Sequence, residues 1–267
     1  SLQVDPTVVS EDRRPWYARV EWSDRLIGQL ELMPGIERAA ITTQLPLTPE
    51  AASSTVARGR MKPSPQAPRW PAVLHHVTDG YFELMAVQPV AGRLFDATDR
   101  FTSDQINRYQ PPDHGVVVIT EQTARTLWPG QPAVGQALQL DRGGIWREVV
   151  GVVEDIQFYA VGETPVLHVF MPWTQDSAWF RPYLFVRTSG PPAPMIPSVR
   201  EAVGAVKPRA EVNEVVRLAD MVGFATAQPR FASRLVATFG LLALGLAAVG
   251  IYGTLSYLVN GRTREIG

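Results

Sequence analysis

The sequence contains no cysteine, and this absence excludes several classes of protein. Without thiols the chain forms neither a disulfide scaffold nor a thiolate zinc site, and it has no cysteine nucleophile. An excess of charge of either sign is also absent, because 25 Lys and Arg side chains oppose 26 Asp and Glu side chains. No Lys- and Arg-rich run offsets this balance, so the sequence does not favour nucleic-acid binding.

Motifs of the common enzyme classes are missing too. The sequence contains no GxSxG elbow, P-loop, GxGxxG fingerprint or HExxH helix. His75 and His76 are adjacent and would lie on opposite faces of a strand, while His114 and His168 are isolated in the sequence. We therefore predict no catalytic residue, no metal site and no cofactor on this chain, and we expect it not to be an enzyme.

Two weaker chemical signals have simpler structural interpretations. The carboxylate pair Glu154-Asp155 follows an apolar run, but no candidate nucleophile or phosphate cradle accompanies it. The aspartates between 96 and 115 do not have the spacing of a calcium-binding EF-hand loop, which favours a solvated loop. Four tryptophans could line a binding cleft, although core packing is the default expectation for them. They are Trp70, Trp146, Trp173 and Trp179.

Long uncharged segments are rare in this chain, with one exception near its C-terminus. Residues 235–259 contain no charged side chain. A helix of about 25 residues is roughly 37 Å long, which exceeds the roughly 30 Å hydrocarbon core of a bilayer. We therefore predict a transmembrane helix within residues 230–259. Arginines flank both ends of it, so the positive-inside rule does not decide its orientation.

The predicted transmembrane helix is unusually rich in small residues. Small side chains let helix backbones approach closely in lipid, so we expect this helix to pack against others. The packing candidates are Gly240, Ala243, Gly245, Ala247, Gly250 and Gly253.

The part of the chain before residue 230 alternates between helix and strand patterns, which predicts an α+β domain. An amphipathic stripe that includes Trp16 and Leu30 predicts a helix that ends before Pro34. Thr120 is a candidate N-cap for a second helix. Residues 45–72 are rich in proline and small polar residues, and we expect them to be irregular. The remaining predicted elements are strands at 39–43, 73–77, 116–119, 148–157, 166–171, 183–188 and 212–216 and helices at 81–85, 195–206 and 218–225.

Several segments resemble a known family in their order and spacing. VTDGYFELM, AGRLF, VVVIT, LWPGQPAVGQAL and EVVGVVEDIQ occur in this order and resemble the periplasmic core domain of MacB-type ABC transporter permeases. The resemblance covers most of residues 16–220. The C-terminal GIYGTLSYLVNGRTREIG resembles the start of the FtsX-like permease domain, as in the duplicated permeases of soil bacteria such as acidobacteria.

The resemblance implies a layout for the chain. A periplasmic core domain would occupy residues 1–229, with a porter-like unit and a smaller inserted α/β unit near 91–157. The transmembrane helix would lie in 230–259 and a cytoplasmic coupling segment in 260–267, with one further helix before Ser1 and two after Gly267. The candidate ATPase-coupling residues are Arg262, Thr263, Arg264, Glu265, Ile266 and Gly267.

The resemblance also implies partners, location and mechanism. An ABC ATPase subunit and a second permease copy would assemble with the chain in the bacterial inner membrane, and a periplasmic or outer-membrane partner is compatible with this. ATP-driven movement of the helices would reshape the periplasmic domain, a mechanism called mechanotransmission. A single-pass membrane-anchored sensor or binding module, and a membrane-anchored enzyme, are the alternatives. The segments 45–72 and 96–115 are longer than the family leads us to expect.

Overall fold

The computed structural model describes residues 2–5, 17–45, 54–61, 64, 66–101, 114–141, 146–155, 166–175, 182–207, 211–218, 238–240 and 242–251. The chain divides into two compact units, Ser1–Leu218 and Ala219–Gly267. The first unit has a mixed α/β fold, which confirms the predicted fold class in its coarse form.

The first unit contains both helices and strands in an interleaved order. The strands are β1 (Leu2–Asp5), β2 (Ile36–Thr42), β3 (Ser54–Arg58), β4 (Trp70–Val77), β5 (Pro89–Gly92), β6 (His114–Thr120), β7 (Ala137–Leu140), β8 (Trp146–Val153), β9 (Leu167–Pro172), β10 (Tyr183–Thr188) and β11 (Glu211–Val215). The α-helices are α1 (Tyr17–Glu31), α2 (Tyr81–Met85), α3 (Glu121–Leu127) and α4 (Ile196–Val206). Short 3₁₀ turns lie at Ala97–Asp99, Trp173–Gln175 and Ala193–Met195.

Six strands close into a ring. β4 pairs with β3, β3 with β7, β7 with β8, β8 with β6, β6 with β9, and β9 returns to β4. The pairs β4–β9 and β6–β8 are parallel, and the others are antiparallel. A closed ring leaves none of these strands as an open sheet edge over its paired residues, which removes a site for unwanted strand addition.

The interior of the ring is aliphatic. Side chains alternate along each strand, so every second residue faces inward, as Val117 and Ile119 do on β6 and Val169 and Met171 do on β9. Leu127, at the end of α3, joins the same core and is fully buried. Each such side chain contributes about 1.5–3 kcal/mol when it is fully buried, so this core is a main source of stability for the ring.

A second layer is formed by the antiparallel strands β11, β1, β10 and β2, in that order. β2 pairs with the ring strand β4 at Thr42 and Val77. Helices α1 and α4 pack on this layer through apolar residues spaced three or four apart, which is the spacing of one helix face. The buried residues of this core include Leu26, Leu30, Ile41, Leu184, Val199 and Val203.

A third core joins the ring to the second layer and is rich in aromatic side chains. Tyr81 and Phe82 of α2 are fully buried and contact Phe170 on the outer face of β9. Phe185 of β10 meets Tyr81 edge to face from the other side. Edge-to-face aromatic pairs add about 0.5–1.5 kcal/mol each beyond their buried area. This core therefore couples the ring firmly to the second layer.

The predicted irregular character of residues 45–72 is wrong in part. β3 lies within this range, and β4 begins at Trp70 rather than at residue 73. The β3 sequence, STVAR, has few apolar residues, so it carries little strand pattern of its own. Its partner residue Leu140 is far away in the sequence. Strands β1, β5 and β7 were not predicted either, because each has only four residues. The other predicted strands and the helices at 81–85, 120–128 and 195–206 agree with the structure to within a few residues.

Part of the second unit is described. Residues 238–240 and 242–251 are helical, and their large apolar side chains are exposed, such as Phe239 and Leu246. Within the described ranges, no helix combines the length and the apolar character needed to cross a membrane. The other residues of the predicted span 235–259, and the predicted helix at 219–225, lie outside the described residues.

Candidate functional site

A cleft of about 530 Å³ lies where β3 ends beside the start of β7. Its charged lining residues are Arg58 and Arg60, and none of the described residues that line it is acidic. We call this site the arginine cleft. The described residues that line it are Arg58, Gly59, Arg60, Trp128, Gln131, Gly135, Gln136 and Ala137.

The backbone turns sharply between the two arginines. Gly59 has a φ of +109°, a conformation that is strained for any residue with a Cβ atom. The Gly59 N–H donates to the carbonyl of Ala137 at 2.7 Å, which ties the turn to β7. This tie places Arg58 and Arg60 at the mouth of one cleft.

Each arginine is held against a tryptophan. The Arg58 guanidinium lies 5.6 Å from the ring centroid of Trp70, and its Nη1 donates to the carbonyl of Leu127 at 3.1 Å. The Arg60 guanidinium lies 4.6 Å from the ring centroid of Trp146. Cation–π contacts of this kind contribute about 0.5–1 kcal/mol at exposed sites, so they restrict both side chains without neutralising their charge.

His114 extends this cluster along the start of β6. Its ring stacks on Trp146 with a centroid separation of 4.3 Å and an interplanar angle of 9°. Trp146 therefore contacts both the His114 ring and the Arg60 guanidinium.

Within the described ranges of the chain, neither cleft arginine forms an ion pair. The side chain of Arg60 makes only its contact with Trp146, and that of Arg58 adds one carbonyl acceptor. Arg69 differs, because its Nη1 forms an ion pair with Asp141 at 2.5 Å. The arginine cleft thus presents two positive charges that the described part of the chain does not neutralise.

Several backbone N–H groups around the cleft are already used. Gly135 donates to the Val149 carbonyl at 2.8 Å, and Gln136 donates to the Ala133 carbonyl at 3.0 Å. Gln131 donates to the Trp128 carbonyl at 3.1 Å. The side-chain donors that line the cleft include the two guanidinium groups and the amides of the two glutamines.

A second polar group contrasts with the cleft because its partners all come from the protein. Gln175 accepts from the Val116 N–H at 2.9 Å and from Arg147 Nη1 at 3.2 Å, and its own amide donates to the Asp99 carbonyl at 2.5 Å. The Asp99 carboxylate in turn receives two hydrogen bonds from Arg93, at 2.6 and 2.8 Å. We call Arg93, Asp99, Arg147 and Gln175 the polar seam.

Two histidines form a buried pair on the outer face of β4 and β9. His75 Nε2 lies 2.8 Å from His168 Nδ1, and the His75 ring stacks on Phe170 at 4.7 Å. The two residues are 93 positions apart, so His168 is isolated in the sequence, but the fold brings it into contact with His75. The strand register brings them together, because Val73 pairs with His168 and His75 pairs with Phe170.

The buried histidines are held in their neutral form. Burial lowers the pKa of His75 well below its usual value, and the neighbouring His168 and His76 lower it further. Burial also lowers the pKa of His168 to about 4, against an opposing contribution from Asp155. A hydrogen bond between two imidazoles requires one donor and one acceptor, so protonating both rings would remove it.

The predicted candidates fall in different places. Of the four tryptophans, Trp146 contacts Arg60 beside the cleft, and Trp70 contacts Arg58. Trp173 is buried in the core of the second layer, and Trp179 lies outside the described residues. In the carboxylate pair Glu154-Asp155, the Asp155 carboxylate accepts from the Gln122 N–H and pairs with Arg125 at 2.5 Å. Asp155 therefore stabilises the start of α3.

The loop predicted to be solvated is in fact anchored at its start. Asp99 is buried and forms its ion pair with Arg93, while Asp96 accepts from the Thr98 N–H in a capping box. The Asp96 contacts lower the pKa of its carboxyl group, mainly through hydrogen bonds from Thr98. Asp104 and Asp113 lie outside the described residues.

The predicted packing and coupling residues are only partly described. Gly240, Gly245 and Gly250 lie in the described helix, and a Cβ atom added at any of them would meet nothing within 4 Å. Gly253 and the coupling residues 262–267 lie outside the described residues. Across the described ranges, no group of three or more His, Asp or Glu side chains is arranged to hold a metal ion.

Comparison with known proteins gives a family match over most of the chain. The family model described as MacB-like periplasmic core domain matches residues 7–228. Among curated proteins, none matches this chain.

The comparison with solved structures matches three domains, among others. The periplasmic region of MacB from Actinobacillus actinomycetemcomitans is 15% identical, with a TM-score of 0.46 and coverage of 69% of this chain and 73% of that one. The extracellular domain of the noncanonic ABC-type transporter YknZ from Gram-positive bacteria is 16% identical, with a TM-score of 0.44 and coverage of 72% and 89%. A domain of a putative permease protein from Porphyromonas gingivalis is 14% identical, with a TM-score of 0.44 and coverage of 73% and 86%.

Proposed function

The chain belongs to the family of MacB-like periplasmic core domains, and on that premise we propose that it is part of a permease subunit of a MacB- or FtsX-type ABC transporter. The match of the family model over residues 7–228 carries this proposal. Two features of the chain support it. The matched range ends just before the uncharged run 235–259, and the fold divides near the same place, at Leu218.

In the proposed arrangement, the first unit lies outside the inner membrane and residues 230–259 cross it. Residues 262–267 then face the cytoplasm and contact a separate ABC ATPase, which binds the nucleotide. ATP-driven movement of the membrane helices reshapes the periplasmic unit in a dimer of permeases. Export or efflux would follow from this reshaping, with no passage of substrate through the helices.

The topology can be tested with single cysteines introduced into residues 1–267, which contain no cysteine of their own. Ser64 is exposed in the first unit, so we expect Ser64→Cys in the full-length protein to react with a membrane-impermeant maleimide on intact spheroplasts. Thr263→Cys should react only after lysis. Labelling of Thr263→Cys in intact spheroplasts, or protection of Ser64→Cys until lysis, would contradict the proposed topology.

The ATPase partnership needs a separate test. We expect an ABC ATPase to copurify with the full-length protein from its own membranes. Arg264→Ala should weaken that association about thirtyfold or more, since truncating one member of a buried interfacial charge pair costs about 2–5 kcal/mol. Arg25→Ala, which removes an exposed arginine of α1, is the matched control. Copurification of a signalling domain instead of an ATPase would favour the sensor alternative.

The mechanical coupling is testable at the junction before the membrane segment. If movement passes rigidly from helix to domain, a flexible glycine–serine insertion after Pro229 should abolish transport while leaving the copurifying ATPase bound. The same insertion after Gly190, an exposed position following β10, serves as the control. Transport that survives the insertion after Pro229 would rule out rigid coupling through this junction.

A further inference from the structure

We propose that the arginine cleft is a binding site for carboxylates, with Arg58 and Arg60 each taking one carboxylate group. This goes beyond the transporter function and does not depend on it. The shared chemistry is a ligand with two nearby carboxylates, which an acidic peptide segment or a free dicarboxylic acid would provide.

The charge of the cleft is the first argument. Two guanidinium groups line a concave space of about 530 Å³, and its lining among the described residues includes no acidic side chain. In the described ranges, neither group has a carboxylate partner of its own. An arginine with a structural role donates its hydrogen bonds to an acceptor of the protein, as Arg93 does to the Asp99 carboxylate. Arg60 has no such acceptor among the described residues.

The geometry of the donors is the second argument. A guanidinium presents a planar fork of N–H groups that matches the two oxygens of a carboxylate. Arg58 keeps most of its five N–H donors after its single bond to the Leu127 carbonyl. The side-chain amides of Gln131 and Gln136 line the same cleft and supply further donors.

The backbone favours a carboxylate over a phosphate. Phosphate sites are commonly built from several free backbone N–H groups at a turn or a helix N-terminus. Here the N–H groups of Gly59, Gln131, Gly135 and Gln136 all donate to protein carbonyls. The cleft therefore lacks a backbone cradle at these four positions, while its two forks remain available.

The arginines are also held in place before a ligand arrives. Trp70 and Trp146 restrict their guanidinium groups, and His114 supports Trp146 by stacking. Ordering a long side chain opposes binding, so a side chain that is already restricted binds with less entropic cost. Trp128 is almost fully buried, so it forms a fixed apolar wall of the cleft.

The test is a titration of the full-length protein in detergent micelles with a tetraglutamate peptide, followed by calorimetry. We expect saturable binding that weakens as the NaCl concentration rises, because the contacts are between charges. Arg60→Gln should weaken it about tenfold, which corresponds to the loss of one charge-assisted pair. Arg25→Gln, which removes the same charge from α1, should leave binding unchanged. Arg60→Gln is preferred to an Arg58 variant because the Arg60 side chain has no hydrogen bond within the described residues.

Three further ligands decide the assignment. Tetraglutamine, which lacks the carboxylates, must not bind. Glutarate identifies the source of the carboxylates: if it binds as tightly as tetraglutamate, the ligand is a free dicarboxylic acid. If tetraglutamate binds more tightly than glutarate, the ligand is a peptide. Inorganic phosphate that binds more tightly than either would overturn the carboxylate assignment. No saturable binding of tetraglutamate or glutarate at about 10 mM, or equal affinities in Arg60→Gln and Arg25→Gln, would overturn the site. A thermal unfolding scan of each variant verifies that it is folded.

Discussion

The polar seam and the arginine cleft lie on the same six-stranded ring and are built from the same types of side chain. In the seam, the side-chain amide of Gln175 forms hydrogen bonds with Val116, Arg147 and Asp99, all of them groups of the protein itself. In the cleft, the amide of Gln131 is exposed, and its side chain has no hydrogen bond within the described residues. Equal chemistry thus serves two purposes: polar groups whose partners are internal stabilise the fold, and polar groups without internal partners remain available to a ligand.

The largest effect on stability is expected at Gly151 of β8, which packs against the backbone of the seam residue Arg93. A Cβ atom at Gly151 would lie 2.0 Å from the Arg93 carbonyl oxygen and 3.0 Å from its carbonyl carbon. The Arg93 backbone cannot retreat easily, because its N–H donates to the Val150 carbonyl. We expect Gly151→Ala to lower the free energy of unfolding by about 3 kcal/mol or more, as overpacking against backbone does. Urea unfolding of the full-length protein, followed by tryptophan fluorescence, measures this.

Gly28 of α1 supplies the control for this prediction. A Cβ atom there would meet nothing within 4 Å, and its φ is not positive. Gly28→Ala should therefore raise the free energy of unfolding by about 0.5–1 kcal/mol, as expected for alanine in a helix. Equal effects of the two substitutions would show that the seam is not tightly packed.

The matched pair Gln175→Met and Gln131→Met tests the comparison directly. Gln175→Met removes the side-chain oxygen that accepts from the half-buried Val116 N–H and from Arg147 Nη1, whereas Arg147 Nη2 keeps the Gln175 backbone carbonyl. The cost of such unmade hydrogen bonds is about 1–3 kcal/mol for each group, so we expect a loss of about 3 kcal/mol. Gln131→Met should change stability by less than about 0.5 kcal/mol, because the residue is exposed. Similar losses for both variants would contradict the division into seam and cleft.

Sequence patterns predicted the fold best where a strand or helix carries its own periodicity. Tyr183–Thr188 and Tyr81–Met85 have the predicted bounds, and the Thr120 cap accepts from the Thr123 N–H as expected. The amphipathic stripe of α1 was predicted as well, although the structure buries Leu26 in addition to Leu30. Local propensity and burial agree in these segments, which makes them readable from the sequence.

Features that depend on distant partners could not be predicted in this way. β3 acquires its structure from pairing with β4 and β7, and the closed ring exists only through such long-range pairings. The His75–His168 contact depends on the register of β4 against β9, which no local pattern encodes. The cleft could not be predicted because Arg58 and Arg60 lie in a range that is rich in proline and was predicted to be irregular. The contact of Arg60 with Trp146 forms only when the chain is folded. Two arginines around a glycine were the available signal.

The buried pair His75 and His168 is a third polar group to compare with the seam and the cleft, and it carries no charge at neutral pH. The pKa of His168 is about 4 in the folded chain, against about 6.5 when it is unfolded. Between these values the unfolded chain binds more protons, so the free energy of unfolding must fall as the pH falls below 6.5. The expected slope is about 1.4 kcal/mol per pH unit for each histidine that titrates in this way.

The measurement compares urea unfolding of the wild type and His168→Gln from pH 7.5 to 4.5. Titrating carboxylates affect both proteins, so the difference between their curves isolates the histidine. We expect the wild type to lose stability relative to His168→Gln as the pH falls, because glutamine does not titrate. A difference that stays constant over this range would mean that His168 keeps an ordinary pKa in the folded protein.

The smallest effect on stability is expected at Arg60, and that small effect is what completes the comparison. Its side chain is exposed, and in the described part of the chain it contacts only Trp146, so Arg60→Gln should change the free energy of unfolding by about 0.5 kcal/mol at most. The same substitution is expected to weaken tetraglutamate binding about tenfold. A residue whose substitution weakens binding but not stability has a role in ligand binding. Substitution of Gln175 should instead lower stability and leave binding unchanged. If Arg60→Gln instead lowers stability as much as Gln175→Met does, the cleft arginine is a structural residue like those of the seam, and the charge it presents has no separate purpose.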